Sequence, residues 1–375
     1  MPTFSKNLLT AAIISSLLAC SSTDTRDATQ LDIQPPSAEE VTALLNLKNS
    51  GENVDVSVYP EDNILALNAE MRYFVEENVP AALSPRARLS YLLDSMIRPS
   101  QLGLEYDPGI TLNATETFQQ RTGNCLSLTS LFIALAREAK LNAYYNEVTI
   151  PPSWDMVSDN SMVFYKHINA IVDFGNGDKE VVDLSVDNYE YHYPQHQVNE
   201  QQAAAQHYNN RGAEFLNSGE NDKAHLYFRR ALFLDPKAGH IWGNLGTLLR
   251  RQGRTLDAEI AYRHALTLNS NDQVAISNLG RLYSEQGQHA EARKLEIIAE
   301  NFRKQNPFLL YSYAKAEYEK GAYEEALDLI QQAIKLRKDE YRFYRFASLI
   351  YFRQGNLIRA QQFSDKASRL KLSSE

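Results

Sequence analysis

The chain has 375 residues, which is long for one domain and enough for two. Its 43% hydrophobic and 23% charged residues are ordinary for a globular protein, and its formal net charge of -9 argues against a nucleic-acid partner, because phosphate binding needs an excess of lysine and arginine. The only two cysteines, Cys20 and Cys125, exclude a framework of several disulfides.

The first 19 residues have the pattern of an export signal. Lys6 supplies a positive charge ahead of a short apolar run from Leu8 to Leu18. A helix that spans a bilayer needs about 20 residues, so this run is too short to remain as a membrane span. We therefore predict a signal peptide over residues 1–19.

The signal ends in Leu17-Leu18-Ala19-Cys20, which resembles the lipobox of bacterial lipoproteins. The resemblance implies that Cys20 carries the lipid; the alternative is an ordinary cleaved signal that happens to contain a cysteine. Ser21 follows in place of aspartate, which in Gram-negative families usually indicates the outer membrane. We expect a lipoprotein of the bacterial cell envelope that faces the periplasm, with residues 20–36 as a flexible polar tether.

Two helix starts are visible early in residues 37–195, which we assign to a second domain. Ser37-Ala-Glu-Glu40 has the capping-box pattern, and Ser84-Pro85 places proline at a first helical position. These segments are predicted to be packing helices without a chemical role.

A further helix is predicted to begin at Cys125. The segment Arg121-Thr-Gly-Asn-Cys125 precedes apolar residues at helical spacing. Cys125 therefore falls in the first helical turn, where unpaired backbone N–H groups stabilise a thiolate and can hold an oxyanion. Gln119 or Gln120 could add an oxyanion donor. The alternative is that Cys125 is a small buried hydrophobic residue.

Two extended segments then predict a hairpin. The first runs from Val163 to Phe174, with His167 on its polar face, and a glycine-rich turn leads to a second segment that contains Asp183. His167 and Asp183 are neighbours across such a hairpin, so Cys125, His167 and Asp183 are candidates for a nucleophile, its base and the group that orients the base. Asp173 competes for the last role, but it shares a strand with His167.

This order of residues resembles the transglutaminase-like superfamily, which shares its arrangement with papain-type cysteine proteases. The family's cysteine follows an Arg-x-Gly-x stretch, its histidine begins a strand, and its aspartate lies on the next strand. The resemblance covers about Leu89 to Ser185. It implies an α+β fold, made of helices and a small antiparallel sheet, with Cys125, His167 and Asp183 as catalytic residues.

Neither a metal nor a cofactor is expected. His192 and His196 are four residues apart, but Pro194 between them argues against a shared helical face, and no third ligand is evident.

The C-terminal half repeats with a step of 34 residues. Three positions recur in register five times: Gly219, Gly253, Gly287, Gly321 and Gly355; Ala224, Ala258, Ala292, Ala326 and Ala360; and Ala231, Ala265, Ala299, Ala333 and Ala367. The step and these residues resemble the tetratricopeptide repeat. We predict an all-α solenoid over residues 205–375, in five units that begin near residues 205, 239, 273, 307 and 341.

Asn210, Asn244 and Asn278 recur at one position of the first helix of three units. In the family that the array resembles, this asparagine commonly binds the backbone of an extended peptide, so we expect a protein or peptide partner in the groove. The alternative is that asparagine is simply consensus there.

Two functions remain open from the sequence. The first is an enzyme in which Cys125 forms a thioester for acyl transfer or for hydrolysis of an amide or peptide. The second is a non-catalytic assembly protein of the cell envelope, whose repeats carry the function.

Overall fold

The molecule is described here by a computed structural model, which covers residues 33–46, 62–148, 155–158, 161–163, 167–184 and 195–374. The predicted signal peptide, Cys20 and most of the predicted tether lie outside the described residues.

In the described residues, five helices precede the repeats, and most of them begin at a side-chain cap. They are α1 (Ala38–Asn46), α2 (Ala69–Asn78), α3 (Pro85–Ile97), α4 (Ala114–Gln120) and α5 (Cys125–Glu138). The predicted capping box before α1 is confirmed: the Ser37 backbone N–H donates to Glu40 Oε2 and the Glu40 N–H donates to Ser37 Oγ. Ser84 caps α3, with Pro85 at the first helical position as predicted, and Asn124 caps α5.

A four-stranded antiparallel sheet lies beside these helices, in the order β7-β6-β3-β8. Its strands are β3 (Asn142–Val148), β6 (His167–Gly175), β7 (Asp178–Val182) and β8 (Gln195–Gln197). Two shorter pairs are β1 (Glu105–Tyr106) with β2 (Thr122–Gly123), and β4 (Asp155–Ser158) with β5 (Ser161–Val163).

The predicted hairpin is present as β6 and β7. Gly175, Asn176 and Gly177 have φ angles of 88°, 54° and 82°, the left-handed values that a tight turn requires and that glycine adopts at little cost. The turn sets the register in which Ala170 lies opposite Val182. Asp183 therefore follows directly after the last paired residue of β7.

Helix α5 lies at the centre of the core. Its residues from Leu126 to Ala136 are all buried, which exceeds the single apolar face that the sequence predicts. The apolar face of β6 packs on this core through Ile168, Ala170 and Val172. Across the contact, the Tyr145 hydroxyl of β3 donates to Ser130 Oγ of α5 at 2.8 Å. Helix α5 is thus both packed on the sheet and hydrogen-bonded to it.

The C-terminal half consists of five helix pairs. They are α6 (Glu200–Ser218) with α7 (Asn221–Leu234), α8 (Gly239–Arg251) with α9 (Thr255–Leu268), α10 (Gln273–Glu285) with α11 (His289–Gln305), α12 (Pro307–Glu319) with α13 (Tyr323–Leu336), and α14 (Tyr341–Arg353) with α15 (Leu357–Ser374). The starts predicted near residues 239, 273, 307 and 341 are confirmed, while the first pair begins at Glu200, five residues before the predicted start.

The recurring glycines end helices, whereas the recurring alanines pack between them. The five glycines between paired helices have φ angles from 75° to 82°, the left-handed conformation that ends a helix. All of the recurring alanines in both sets are buried. At a second kind of glycine, Gly212 and Gly246, an added Cβ would lie 2.7 Å from the ring of Phe228 or Tyr262 in the partner helix. Small residues therefore allow each pair to pack closely.

The first helix pair also contacts the preceding part of the chain. The Asp62 backbone N–H donates to the Tyr208 hydroxyl at 2.7 Å, and His207 Nε2 lies 3.5 Å from Asp62 Oδ2. Arg137 of α5 forms an ion pair of 2.6 Å with Glu200 of α6. Residues 33–375 accordingly form one compact unit.

No helix in the described part of the chain is long and apolar enough to cross a membrane.

Candidate functional site

Cys125 is the first residue of α5. Asn124 precedes it with extended backbone angles, and the Asn124 side chain accepts a hydrogen bond from the Ser127 backbone N–H. Cys125 is only partly buried, whereas the residues that follow it on α5 are fully buried. The cysteine therefore lies at a helix N-terminus, where backbone N–H groups lack helical partners, and it is not fully enclosed.

His167 and Asp183 form a close pair across the β6–β7 hairpin. His167 Nε2 lies 2.6 Å from Asp183 Oδ2, and the two side chains are 13% and 9% exposed. The short distance and the low exposure make this a strong, charge-assisted hydrogen bond. It leaves the other ring nitrogen, Nδ1, as the atom through which His167 can meet another group.

The His167 imidazole also interacts with Cys125. Burial of the ring opposes its protonation, but hydrogen bonds to the Asp183 carboxylate and to Cys125 outweigh the burial and raise the pKa of His167 to about 9. At neutral pH the ring is therefore an imidazolium, and its positive charge lies beside the cysteine. The structure thus brings together all three residues that the sequence singled out.

Asn169, Asn146 and Gln195 support this group and were not assigned a role from the sequence. Asn169 Nδ2 donates to Asp183 Oδ2 at 3.1 Å, and its own carbonyl accepts from Asn146 Nδ2 at 2.8 Å. Asn146 also donates to Gln195 Oε1 at 2.9 Å. Because Asn169 and Asn146 are buried, these bonds help to fix the carboxylate oxygen that His167 also contacts. Asparagine within strands, which disfavour it, was the available signal.

The competing carboxylate, Asp173, lies near the turn end of β6. It accepts from the Gly175 backbone N–H at 2.8 Å and lies 3.4 Å from Lys179 Nζ. These contacts occupy it at the turn, so the geometry favours Asp183 as the partner of His167. Gln119 and Gln120 are exposed in the last turn of α4, and their role as oxyanion donors stays a prediction.

The described residues include no cluster of three or more histidine, cysteine, aspartate or glutamate side chains that could hold a metal ion. His196 Nε2 lies 3.8 Å from Glu147 Oε1, and His192 lies outside the described residues.

The three recurrent asparagines are buried within the repeats. Asn244 Nδ2 donates to Asn209 of the preceding repeat at 2.8 Å, and Asn278 Nδ2 donates to Thr247 of the preceding repeat at 3.2 Å. Asn210 accepts from Gln206 Nε2 at 2.8 Å. Asn244 and Asn278 therefore join one first helix to the preceding one, whereas the Asn210 bond lies within α6. Contact of the three asparagines with a peptide stays a prediction.

Comparison with known proteins identifies the family of the repeats. Two family models match, and both are described as tetratricopeptide repeat: one covers residues 209–272 and 311–364, the other residues 261–294. A search of curated proteins finds no match.

Several solved structures are similar over a little less than half of this chain. They include pilF of Pseudomonas aeruginosa, at 17% identity over 46% of this chain and 78% of that chain with a TM-score of 0.28. MamA of Desulfovibrio magneticus RS-1 has 17% identity over 47% and 98%, with a TM-score of 0.26. YrrB, a TPR protein with an unusual peptide-binding site, has 18% identity over 44% and 86%, with a TM-score of 0.26.

These TM-scores are low, so the assignment rests on the family models and on the five helix pairs. The C-terminal region of the chain consists of tetratricopeptide repeats that form an all-helical solenoid from α6 to α15.

Proposed function

We propose that this protein is a lipid-anchored protein of the bacterial cell envelope with two working parts. A transglutaminase-like α+β domain at residues 37–195 uses Cys125 as a nucleophile for acyl transfer or for hydrolysis of an amide or peptide. The repeats at residues 205–375 bind a protein or peptide partner. The observation that carries the enzymatic part is the hydrogen-bonded group of Cys125, His167 and Asp183.

The proposed reaction begins with the Cys125 thiolate. Its sulfur attacks the carbonyl carbon of a carboxamide or peptide, and a C–S bond forms while the carbonyl oxygen takes the negative charge. Backbone N–H groups at the start of α5 are positioned to hold that charge. The His167 imidazolium then donates its proton to the leaving nitrogen, the C–N bond breaks, and a thioester remains on Cys125.

The second half of the cycle releases the acyl group. Neutral His167 takes a proton from water or from an amine as that molecule attacks the thioester carbonyl. The C–S bond then breaks, and the thiolate and imidazolium are restored. Asp183 stays ionised throughout and keeps His167 Nε2 protonated, so that Nδ1 faces the sulfur. The cycle transfers no electrons and requires neither a cofactor nor a metal.

The proposed location follows from the sequence at the N-terminus. Lipid on Cys20 and the polar tether at residues 20–36 would hold both parts at a membrane, with the periplasmic side of the outer membrane as the site. Candidate substrates there are envelope proteins, secreted peptides and the peptide stems of peptidoglycan.

A second candidate function is a scaffold without catalysis. The family models favour it, because they match only the repeats. Tetratricopeptide arrays act by presenting an extended surface to a partner, and this function needs nothing from Cys125.

Complementation separates the two functions. A strain that lacks the gene is supplied with the wild-type chain, Cys125→Ala or His167→Ala, with each protein's amount and membrane fraction measured. The enzymatic proposal expects both variants to fail to restore the missing phenotype at wild-type amounts and location. Full restoration by Cys125→Ala would rule it out and leave the scaffold.

A further inference from the structure

A short segment, Ile110 to Leu112, lies between the start of α5 and the first repeat. On its α5 side it makes three hydrogen bonds. The Asn124 N–H donates to the Ile110 carbonyl at 2.9 Å, Asn124 Nδ2 donates to Thr111 Oγ1 at 2.7 Å, and the Leu112 N–H donates to Ser127 Oγ at 2.8 Å. The cap of the helix that carries Cys125 is thus fixed by this segment.

On its other side the same segment is held by α6 of the first repeat. The Thr111 backbone N–H donates to Glu214 Oε1 at 2.8 Å, and Arg211 donates to the Thr111 carbonyl at 3.4 Å. Arg211 and Glu214 also form an ion pair of 3.1 Å. Thr111 is buried, so Glu214 is the acceptor for a backbone donor that water does not reach freely.

Glu214 is an unusual group to place there. Burial raises the pKa of its carboxyl above the ordinary value, against the lowering effect of the Thr111 bond and of Arg211. Partial burial of Glu214 costs solvation, and the bond to the Thr111 N–H offsets part of that cost. The Glu214 side chain is therefore well placed to fix the position of the Thr111 backbone.

The connection from Thr111 to Cys125 is short and closely packed. Asn124 Nδ2 can only donate, and Thr111 Oγ1 accepts that bond, while Asn124 Oδ1 caps the helix. At Gly123, an added Cβ would lie 2.6 Å from the Ser127 Cβ. Cys125 directly follows Asn124, so a shift of Thr111 is passed to the Cys125 sulfur. His167 is held separately by Asp183 and would not follow it.

We propose that Glu214, supported by Arg211, is a positioning residue for Cys125: the first repeat sets the distance between the cysteine sulfur and His167 through Thr111 and Asn124. This inference rests on the proposed cysteine chemistry. It makes the first repeat part of the enzyme as well as part of the partner-binding array.

The test is the rate at which iodoacetamide alkylates Cys125 in the full-length protein, read on the Cys125 peptide by mass spectrometry. Glu214→Ala should lower the rate roughly tenfold or more at neutral pH, since small displacements of a reacting group have effects of that size. Glu214→Gln keeps an acceptor for the Thr111 N–H and should stay close to wild type. Glu317→Ala, which removes an exposed ion pair with Lys320 in the fourth repeat, is the control.

A double-mutant cycle separates positioning from loss of structure. If Glu214 acts by holding Cys125 against His167, then His167→Ala should have little further effect in the Glu214→Ala background. Thr111→Val, which removes the acceptor of the Asn124 side chain and preserves shape, should reproduce the effect even if Glu214→Ala does not fold.

The outcomes distinguish the two proposals. Rapid wild-type alkylation that depends on His167 but is unchanged by Glu214→Ala and Thr111→Val would overturn the positioning role alone. Wild-type alkylation as slow as that of a free thiol, and unaffected by His167→Ala, would overturn the proposed function together with it.

Discussion

Gly246 tests the packing of the repeats most sharply, because the chain offers a matched control on the same helix. A Cβ at Gly246 would lie 2.7 Å and 2.8 Å from two ring carbons of Tyr262. Tyr262 is fully buried, and its hydroxyl donates to Thr247 Oγ1 at 3.2 Å, so the ring has no free direction in which to move. At Gly243, one turn earlier on α8, an added Cβ meets no atom within 4 Å.

The two substitutions should therefore change stability in opposite directions. Overpacking by Gly246→Ala costs about 1–3 kcal/mol, from which the gain in helix propensity removes roughly 0.5–1 kcal/mol. Gly243→Ala has only the gain, so it should raise the free energy of unfolding by about 0.5–1 kcal/mol. The expected difference between the variants is about 1–3 kcal/mol, the size of the overpacking term.

Urea unfolding followed by circular dichroism measures this difference from the transition midpoints at an unchanged slope. The packing argument predicts a lower midpoint for Gly246→Ala than for wild type and a higher one for Gly243→Ala. Equal shifts of the two variants, or a stabilised Gly246→Ala, would show that α8 and α9 do not pack as described.

Three further predictions concern a buried base, the candidate site and the anchor. Burial, with Arg229 and Arg254 nearby, lowers the pKa of His225 to about 4 from 6.5. Between these values the unfolded chain binds a proton that the folded chain does not, so the free energy of unfolding should fall as the pH drops below 6.5. At 1.36 kcal/mol per pKa unit the loss is about 3 kcal/mol at pH 4. The free energy of unfolding, measured at pH 6.5 and at pH 4, should show this loss in the wild type and little of it in His225→Phe. An equal loss in the two proteins would contradict the assignment to His225. Asp183→Asn should slow alkylation of Cys125 without loss of fold while Asp173→Asn leaves it unchanged; the reverse order would assign the role to Asp173. Cys20→Ser should abolish partition of the protein into detergent, and a processed variant that still partitions like the wild type would refute lipidation.

The repeats were predictable because their signal is local and repeated. Each glycine at a step of 34 residues has the same left-handed conformation at a helix end, and each recurring alanine is buried. The same physical requirements therefore recur five times in the sequence. The start of α5 was predictable for a similar reason, since the turn at Gly123 and Asn124 and the apolar spacing after Cys125 are neighbours in sequence.

The surroundings of the candidate site were not predictable in the same way. Asn146 and Asn169 are 23 residues apart, and Asn146 and Gln195 are 49 apart. Strand β8 has three exposed residues and no alternating pattern, so its pairing with β3 is decided by the register of the sheet. The contact of Thr111 with Glu214 joins residues 103 apart and depends on how the first repeat packs. Contacts of this kind follow from tertiary structure and leave no periodic trace in the sequence.

The central claim is that Cys125 is an activated nucleophile, and the pH dependence of its alkylation tests that claim most directly. The raised pKa of His167, about 9, keeps an imidazolium beside the sulfur through the neutral range. We therefore predict alkylation that stays rapid through the neutral range in which the imidazolium is present, whereas a free thiol, with a pKa of about 8.5, slows roughly tenfold for each pH unit below that value. His167→Ala should restore the free-thiol profile. A wild-type profile that already matches a free thiol would contradict the account.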